Sequence, residues 1–169
     1  MVKKDMTNEY RQKQEALLHI YNRGNRKQNI CEDLKDYTFF YNAVRHFFQN
    51  SGFDLFCFCV MPNHYHILAK QQGSTHISNV MQKIGAGYTK YFNMKYGFSG
   101  HLFQGTYKCK IIDNNLQLKI VAKYITANPE KINLPCSYPY LFNNYPLIDY
   151  YLLSSPFEKT DVPHRILNP

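Results

Sequence analysis

The chain has 169 residues, with 20 Lys and Arg against 12 Asp and Glu, and a formal charge of +8 at pH 7. That length suits one domain with a real core. No run approaches the ~18 consecutive apolar residues of a membrane span, and Met1 to Glu15 is too polar for a secretory signal.

The positive balance favours a polyanionic partner. Fifteen Tyr and twelve Phe, with no Trp, supply rings that suit stacking on single-stranded bases where lysines lie beside them. Five cysteines, an odd number, fit a reduced, cytoplasmic protein without a disulfide framework; Cys57 and Cys59 share an inward strand register.

After a polar lead-in over 1–15, Ala16 to Arg23 reads as a strand. Gly24-Asn25 breaks it, and Arg23, Arg26 and Lys27 make a basic turn suited to phosphate. Asp33 or Asp36 caps a first helix to about Gln49, with Tyr37, Phe40, Tyr41, Val44, Phe47 and Phe48 at helical spacing. Phe53 to Met61 is an apolar strand. Pro62-Asn63 separates it from a second strand, His64 to Lys70, as an antiparallel neighbour.

On that second strand His64 and His66 leave one face while Tyr65 and Ile67 leave the other. Two imidazoles on one face are half of a divalent-metal site, which needs a further ligand from elsewhere. Ordinary surface or packed histidines are the competing interpretation of a lone His-x-His.

Ser74 or Thr75 starts a second helix to about Lys95, with Ile77, Val80, Met81, Ile84, Tyr88, Tyr91 and Phe92 as its apolar stripe. Gly85 and Gly87 weaken its middle or admit a close approach to the backbone. The loop Lys95 to Gly105 carries His101. Thr106 to Ile112 alternates as a strand, with Lys108 and Lys110 on one face as a candidate phosphate stripe and Tyr107, Cys109 and Ile111 on the other. Asp113 caps a third helix from Asn114 to about Ala127, ended by Asn128-Pro129, with Leu116, Ile120, Val121 and Ile125 expected to pack inward. Tyr124 and Asn128, four apart, share a helix face. Beyond Glu130 lie six of the eight prolines and no persistent period, so 135–169 reads as an extension folded back over a domain spanning 16–134.

Five segments in order resemble the single-tyrosine transposases of the IS200/IS605 type, with the branch associated with repetitive extragenic palindromes the nearest. They are Tyr21-Asn-Arg-Gly-Asn25, Met61-Pro-Asn-His-Tyr-His-Ile-Leu68, Tyr88-Thr-Lys-Tyr-Phe-Asn93, Gly100-His-Leu-Phe-Gln-Gly-Thr-Tyr-Lys108 and Tyr124-Ile-Thr-Ala-Asn-Pro129. The resemblance runs from about His19 to about Leu134. It implies an α+β fold of the ferredoxin-like plan, an antiparallel sheet with packed helices. It also implies a metal-dependent endonuclease and strand transferase acting on single-stranded DNA beside hairpins.

In that family a His-hydrophobic-His pair holds the metal and a helix-borne tyrosine is the nucleophile. Matched by position, His64 and His66 are the pair, Tyr124 the nucleophile and Asn128 the third ligand, a glutamine in some relatives. The implied cofactor is Mg²⁺ or Mn²⁺, with imidazole donors the better match to Mn²⁺. The resemblance also implies a 5′-phosphotyrosine intermediate and release of a 3′ hydroxyl. Phenols are poor nucleophiles at neutral pH, so the metal or a base must assist.

Arg23, Arg26, Lys27, Lys108, Lys110 and His101 are the nucleic-acid contact candidates. Two positions depart from the family pattern: Thr106 stands where Arg is frequent, and Tyr65 where a smaller apolar residue is usual. The branch pattern favours a monomer over a homodimer. The alternatives are a hairpin-binding protein that does not cut, a metal-dependent ribonuclease using water, and a purely structural protein.

Overall fold

The computed structural model describes residues 15–49, 51–128 and 140–141. Five strands, β1 (Leu17–Arg23), β2 (Phe53–Met61), β3 (His64–Gln71), β4 (Lys108–Ile112) and the two-residue β5 (Tyr140–Leu141), form one sheet in the order β4-β1-β3-β2-β5. Every pairing in it is antiparallel. Helices α1 (Leu34–Gln49) and α2 (Ile77–Tyr96) cover one face, and α3 (Asn115–Ala127) covers the other. This is the expected α+β plan. Among the described residues, no helix is long and apolar enough to cross a membrane.

Side-chain alternation along the strands explains the two layers. Leu18 and Ile20 of β1, Tyr65, Ile67 and Ala69 of β3 and Cys109 of β4 join the α1–α2 core, which includes Phe40, Val44, Ile84, Tyr88 and Phe92. The other face carries Cys57, Cys59, Met61, Leu68 and Ile112, over which α3 sets Leu118, Ala122 and Ile125. A register shift in β2 between Leu55 and Cys57 re-aims that strand, so Phe56 also meets the α3 side.

Local capping selects one of the two residues expected at α1 and differs from the expected pattern at α2 and α3. Asp33 caps α1, its Oδ1 accepting from the Lys35 and Asp36 amides. Asp36 is instead fully buried and accepts from Lys95 Nζ at 2.6 Å, Tyr96 Oη at 2.7 Å, Tyr91 Oη at 3.0 Å and the Glu32 and Asp33 amides. Lys95 of α2 is thereby drawn onto the start of α1. The second helix begins at Ile77 with His76 at its N-cap, not at Ser74 or Thr75. The third is capped by Asn114, whose side chain accepts from the Gln117 amide, not by Asp113.

Leu116 and Ile120, expected inside, are 69% and 60% exposed. Apolar residues lie on more than one side of α3, so periodicity alone does not choose its buried face; the sheet selects Leu118, Ala122 and Ile125. At Gly85 and Gly87 no atom of the described residues lies within 4 Å of where a Cβ would stand, so none of them approaches α2 closely there. Cys31, Cys57, Cys59 and Cys109 are free and buried. Cys136, the lead-in before residue 15 and the C-terminal extension apart from β5 lie outside the described residues.

A candidate active site on the α3 face of the sheet

Strand register assembles the site. Across the sheet, Lys108 on β4 pairs with Tyr21 on β1, Tyr21 with His66 on β3, and His66 with Cys59 on β2. One row over, Arg23 pairs with His64, and His64 with Met61; on the other side Lys110 pairs with His19, and His19 with Leu68. Directly paired residues share a face. His19, Tyr21, Arg23, His64, His66, Lys108 and Lys110 therefore stand together on the side that α3 covers.

The rings are in contact. His64 and His66 centroids lie 5.2 Å apart, and His66 meets Tyr124 of α3 edge-on at 5.2 Å and 81°. Tyr21 lies 5.7 Å from His66, and His19 stacks on it at 5.1 Å. Asn128 follows one helical turn after Tyr124, its backbone N–H donating to the Tyr124 carbonyl at 3.2 Å. Its buried side chain neighbours the Cys59 thiol, the register partner of His66, and its Nδ2 makes no well-formed hydrogen bond among the described residues.

Burial sets the protonation states. His66 is pushed down to about 3 by burial first and then by neighbouring His19 and His64. His19 is lowered to about 4 by burial and by the Lys110 charge, and burial also lowers His64. Imidazoles that stay neutral keep a lone pair for a metal ion. Burial holds the Cys59 thiol up, at about 12, so it is neither a nucleophile nor a thiolate ligand at neutral pH. Among the described residues, no group of three or more His, Cys, Asp or Glu side chains is placed to hold a metal ion. The donor set available here is two imidazoles and a carboxamide.

The basic candidates divide into two places. Lys108 and Lys110 are exposed on β4 beside Tyr21 and His19. Arg23 ends β1 next to His64 and donates from Nε to Gln104. Arg26 and Lys27 are exposed in a 3₁₀ turn (Asn25–Lys27) where both take left-handed backbone conformations, with φ of 52° and 63°. Gly24 anchors that turn by donating to the Asn63 carbonyl at 2.8 Å and bridging to Phe103. His101 lies elsewhere: with Arg26, Asn93, Phe98 and Ser99 it lines a cavity of about 240 Å³ to which His64, His66 and Tyr124 do not contribute.

Sequence reading missed His19, Tyr21 and Asn63, which all touch this centre. The alternation of β1 already put His19 and Tyr21 on one face with Arg23. What it lacked was the pairing of β1 with β3.

A comparison with curated proteins gives no match. Among solved structures, the chain is similar to the REP-associated tyrosine transposase bound to a REP hairpin, at 20% identity and a TM-score of 0.55, covering 72% of this chain and 70% of that one. It is also similar to a putative transposase from Deinococcus radiodurans R1, at 14% identity and a TM-score of 0.50, covering 74% and 95%. These likenesses establish the shared fold. The family model described as transposase IS200 like matches residues 12–128, well over half of the chain, and the protein belongs to that transposase family.

Proposed function

We propose that the protein cuts and rejoins single-stranded DNA beside hairpins, with Tyr124 as the nucleophile. The observation that carries this reading is the edge-on meeting of Tyr124 with His66, itself against His64, on separate elements brought to one sheet face. Family membership supplies the DNA-processing class. The hairpin comes from the similar transposase bound to a REP hairpin.

In the proposed step the Tyr124 hydroxyl oxygen attacks the scissile phosphorus and the bond to the 3′ oxygen breaks. The phenol proton is lost, and the departing oxygen takes up a proton to leave as a 3′ hydroxyl. The 5′ phosphate remains on the tyrosine, so the bond energy is retained and the strand can be resealed by the reverse attack. Arg23, Arg26, Lys27, Lys108 and Lys110 would hold the backbone. His101, in its separate cavity with Arg26, would contact the strand away from the cut.

His64, His66 and Asn128 are the residues that would hold Mg²⁺ or Mn²⁺. They fit such an ion in kind: both imidazoles are kept neutral by burial, and a buried carboxamide stands one turn beyond the nucleophile. The bound ion would polarise the scissile phosphate and stabilise charge on its oxygens.

The test is incubation with 5′- and 3′-labelled single-stranded hairpin oligonucleotides and Mn²⁺, resolved under denaturing conditions. A covalent adduct formed by the native protein and absent in Tyr124→Phe supports the reading. Cleavage that survives the substitution would show that water is the attacker. Tight hairpin binding with no adduct would make this a recognition module.

A further inference from the structure

Each ring of the histidine pair has its inner nitrogen engaged. His64 Nδ1 lies 2.7 Å from Asn63 Oδ1. A carboxamide oxygen only accepts, so Nδ1 carries the proton and Nε2 keeps its lone pair. His66 Nδ1 lies 3.0 Å from His19 Nε2, a bond that runs in one of two directions. If His19 donates, the His66 proton sits on Nε2 and no outward lone pair remains. If His19 accepts, His66 carries Nδ1–H and Nε2 is free, as in His64.

We propose that His19 is a positioning residue: its Nε2 accepts from His66 Nδ1–H, holding His66 in the tautomer whose Nε2 can take a divalent ion, as Asn63 does for His64. This rests on the reading of His66 as a ligand. Three further observations support it. His19, His64 and His66 form no three-member metal group among the described residues, so His19 is not the third ligand of the pair. The two rings lie 29° from coplanar with centroids 5.1 Å apart, the near-coplanar placement that an in-plane N–H···N bond requires. Strand pairing holds it there: His19 is locked between Leu68 and Lys110 in the sheet interior. Partners of this kind orient ligating histidines in metal sites generally, and their loss typically costs 10–100-fold in affinity.

The experiment measures Mn²⁺ binding to the full chain by loss of the free-ion EPR signal, with inorganic phosphate present, for the native protein, His66→Ala, His19→Gln and His19→Leu. Thermal midpoints of the metal-free proteins are recorded alongside. Gln offers an acceptor oxygen of similar reach, whereas Leu fills space without one. The expected result is native-like affinity for His19→Gln and a loss of roughly 10–100-fold for His19→Leu. Equal affinity in His19→Leu and the native protein overturns the proposal, as does an equal loss in both His19 variants, which would reduce His19 to packing. Should His19→Leu fail to fold, the Gln variant still decides: a loss there of more than about tenfold overturns it. If His66→Ala binds as well as the native protein, the ligand reading of His66 fails instead.

Discussion

Tyr124 on α3 and His66 on β3 meet edge to face, 5.2 Å between centroids, with the tyrosine 44% exposed and the histidine buried. The ring is thus anchored against the proposed metal pair while its surroundings stay open to a strand of DNA. Tyr124→Phe keeps the ring and its edge contact. We therefore expect the thermal stability to change by no more than about 0.5 kcal/mol and hairpin affinity to remain within twofold. The denaturant-resistant adduct should disappear. A gel-shift titration beside the denaturing assay separates these effects.

The Asp36 carboxylate gives a stability prediction with a defined pH dependence. Burial alone would raise its pKa, but hydrogen bonds from Lys95, the Glu32 amide, Tyr96 and the Asp33 amide outweigh it and hold the carboxyl below its ordinary value. A depressed carboxyl stabilises the fold above its unfolded value near 3.9, and that stabilisation is lost as pH falls through the lower folded value. Asp36→Asn should cost roughly 2–4 kcal/mol at pH 7, because Lys95 loses its buried partner and keeps only the half-exposed Asp33. The gap between the two proteins in urea unfolding should narrow as pH drops below about 4. A constant gap from pH 7 to pH 3 would contradict this account.

How far the chain announced this arrangement differs by residue. His64 and His66 are neighbours on one strand, so period-two alternation alone puts them on one face. Tyr124 and Asn128 are one helical turn apart and were equally visible as a pair. Their meeting with the histidines was implied only by family resemblance, because nothing local says which side of the sheet α3 covers. Leu116 and Ile120 show this limit directly: they are as apolar as Leu118 and Ile125, yet they face outward. His19 and Asn63 were not singled out because their roles depend on hydrogen bonds at ring nitrogens, set by strand register and turn geometry. Asp36 looked like a cap; its burial follows from α2 crossing the start of α1 with Tyr91, Lys95 and Tyr96.

Gly24 is constrained by space. A Cβ there would stand 2.0 Å from the Gln28 carbonyl oxygen and 3.0 Å from its carbon, both backbone atoms. Gly24→Ala must push that carbonyl away and so distort the turn that carries Arg26 and Lys27. We expect a loss of roughly 1–3 kcal/mol in urea unfolding, the range for overpacking a tight site, together with weaker hairpin binding. Gly85→Ala is the control. It lies inside α2 with nothing within 4 Å of the added carbon, so relief of the helical glycine should stabilise by about 0.5–1 kcal/mol.

Lys108 and Lys110 point from β4 to the face that carries the histidines, in register with Tyr21 and His19. If they neutralise phosphates of the bound strand, binding must release the counterions those phosphates held. Each contact on single-stranded DNA then contributes about 0.7 to the magnitude of the slope of log affinity against log salt. Lys108→Ala with Lys110→Ala should lower affinity for a hairpin with a single-stranded flank and reduce that slope by about 1.4, uniformly across sequences, since phosphate contacts carry no base information. Fluorescence anisotropy from 50 to 300 mM salt reads both quantities. The same double variant tested on a hairpin without the flank locates the contacts: an undiminished effect would place the lysines against the duplex, and a vanished one would place them along the single strand approaching Tyr124.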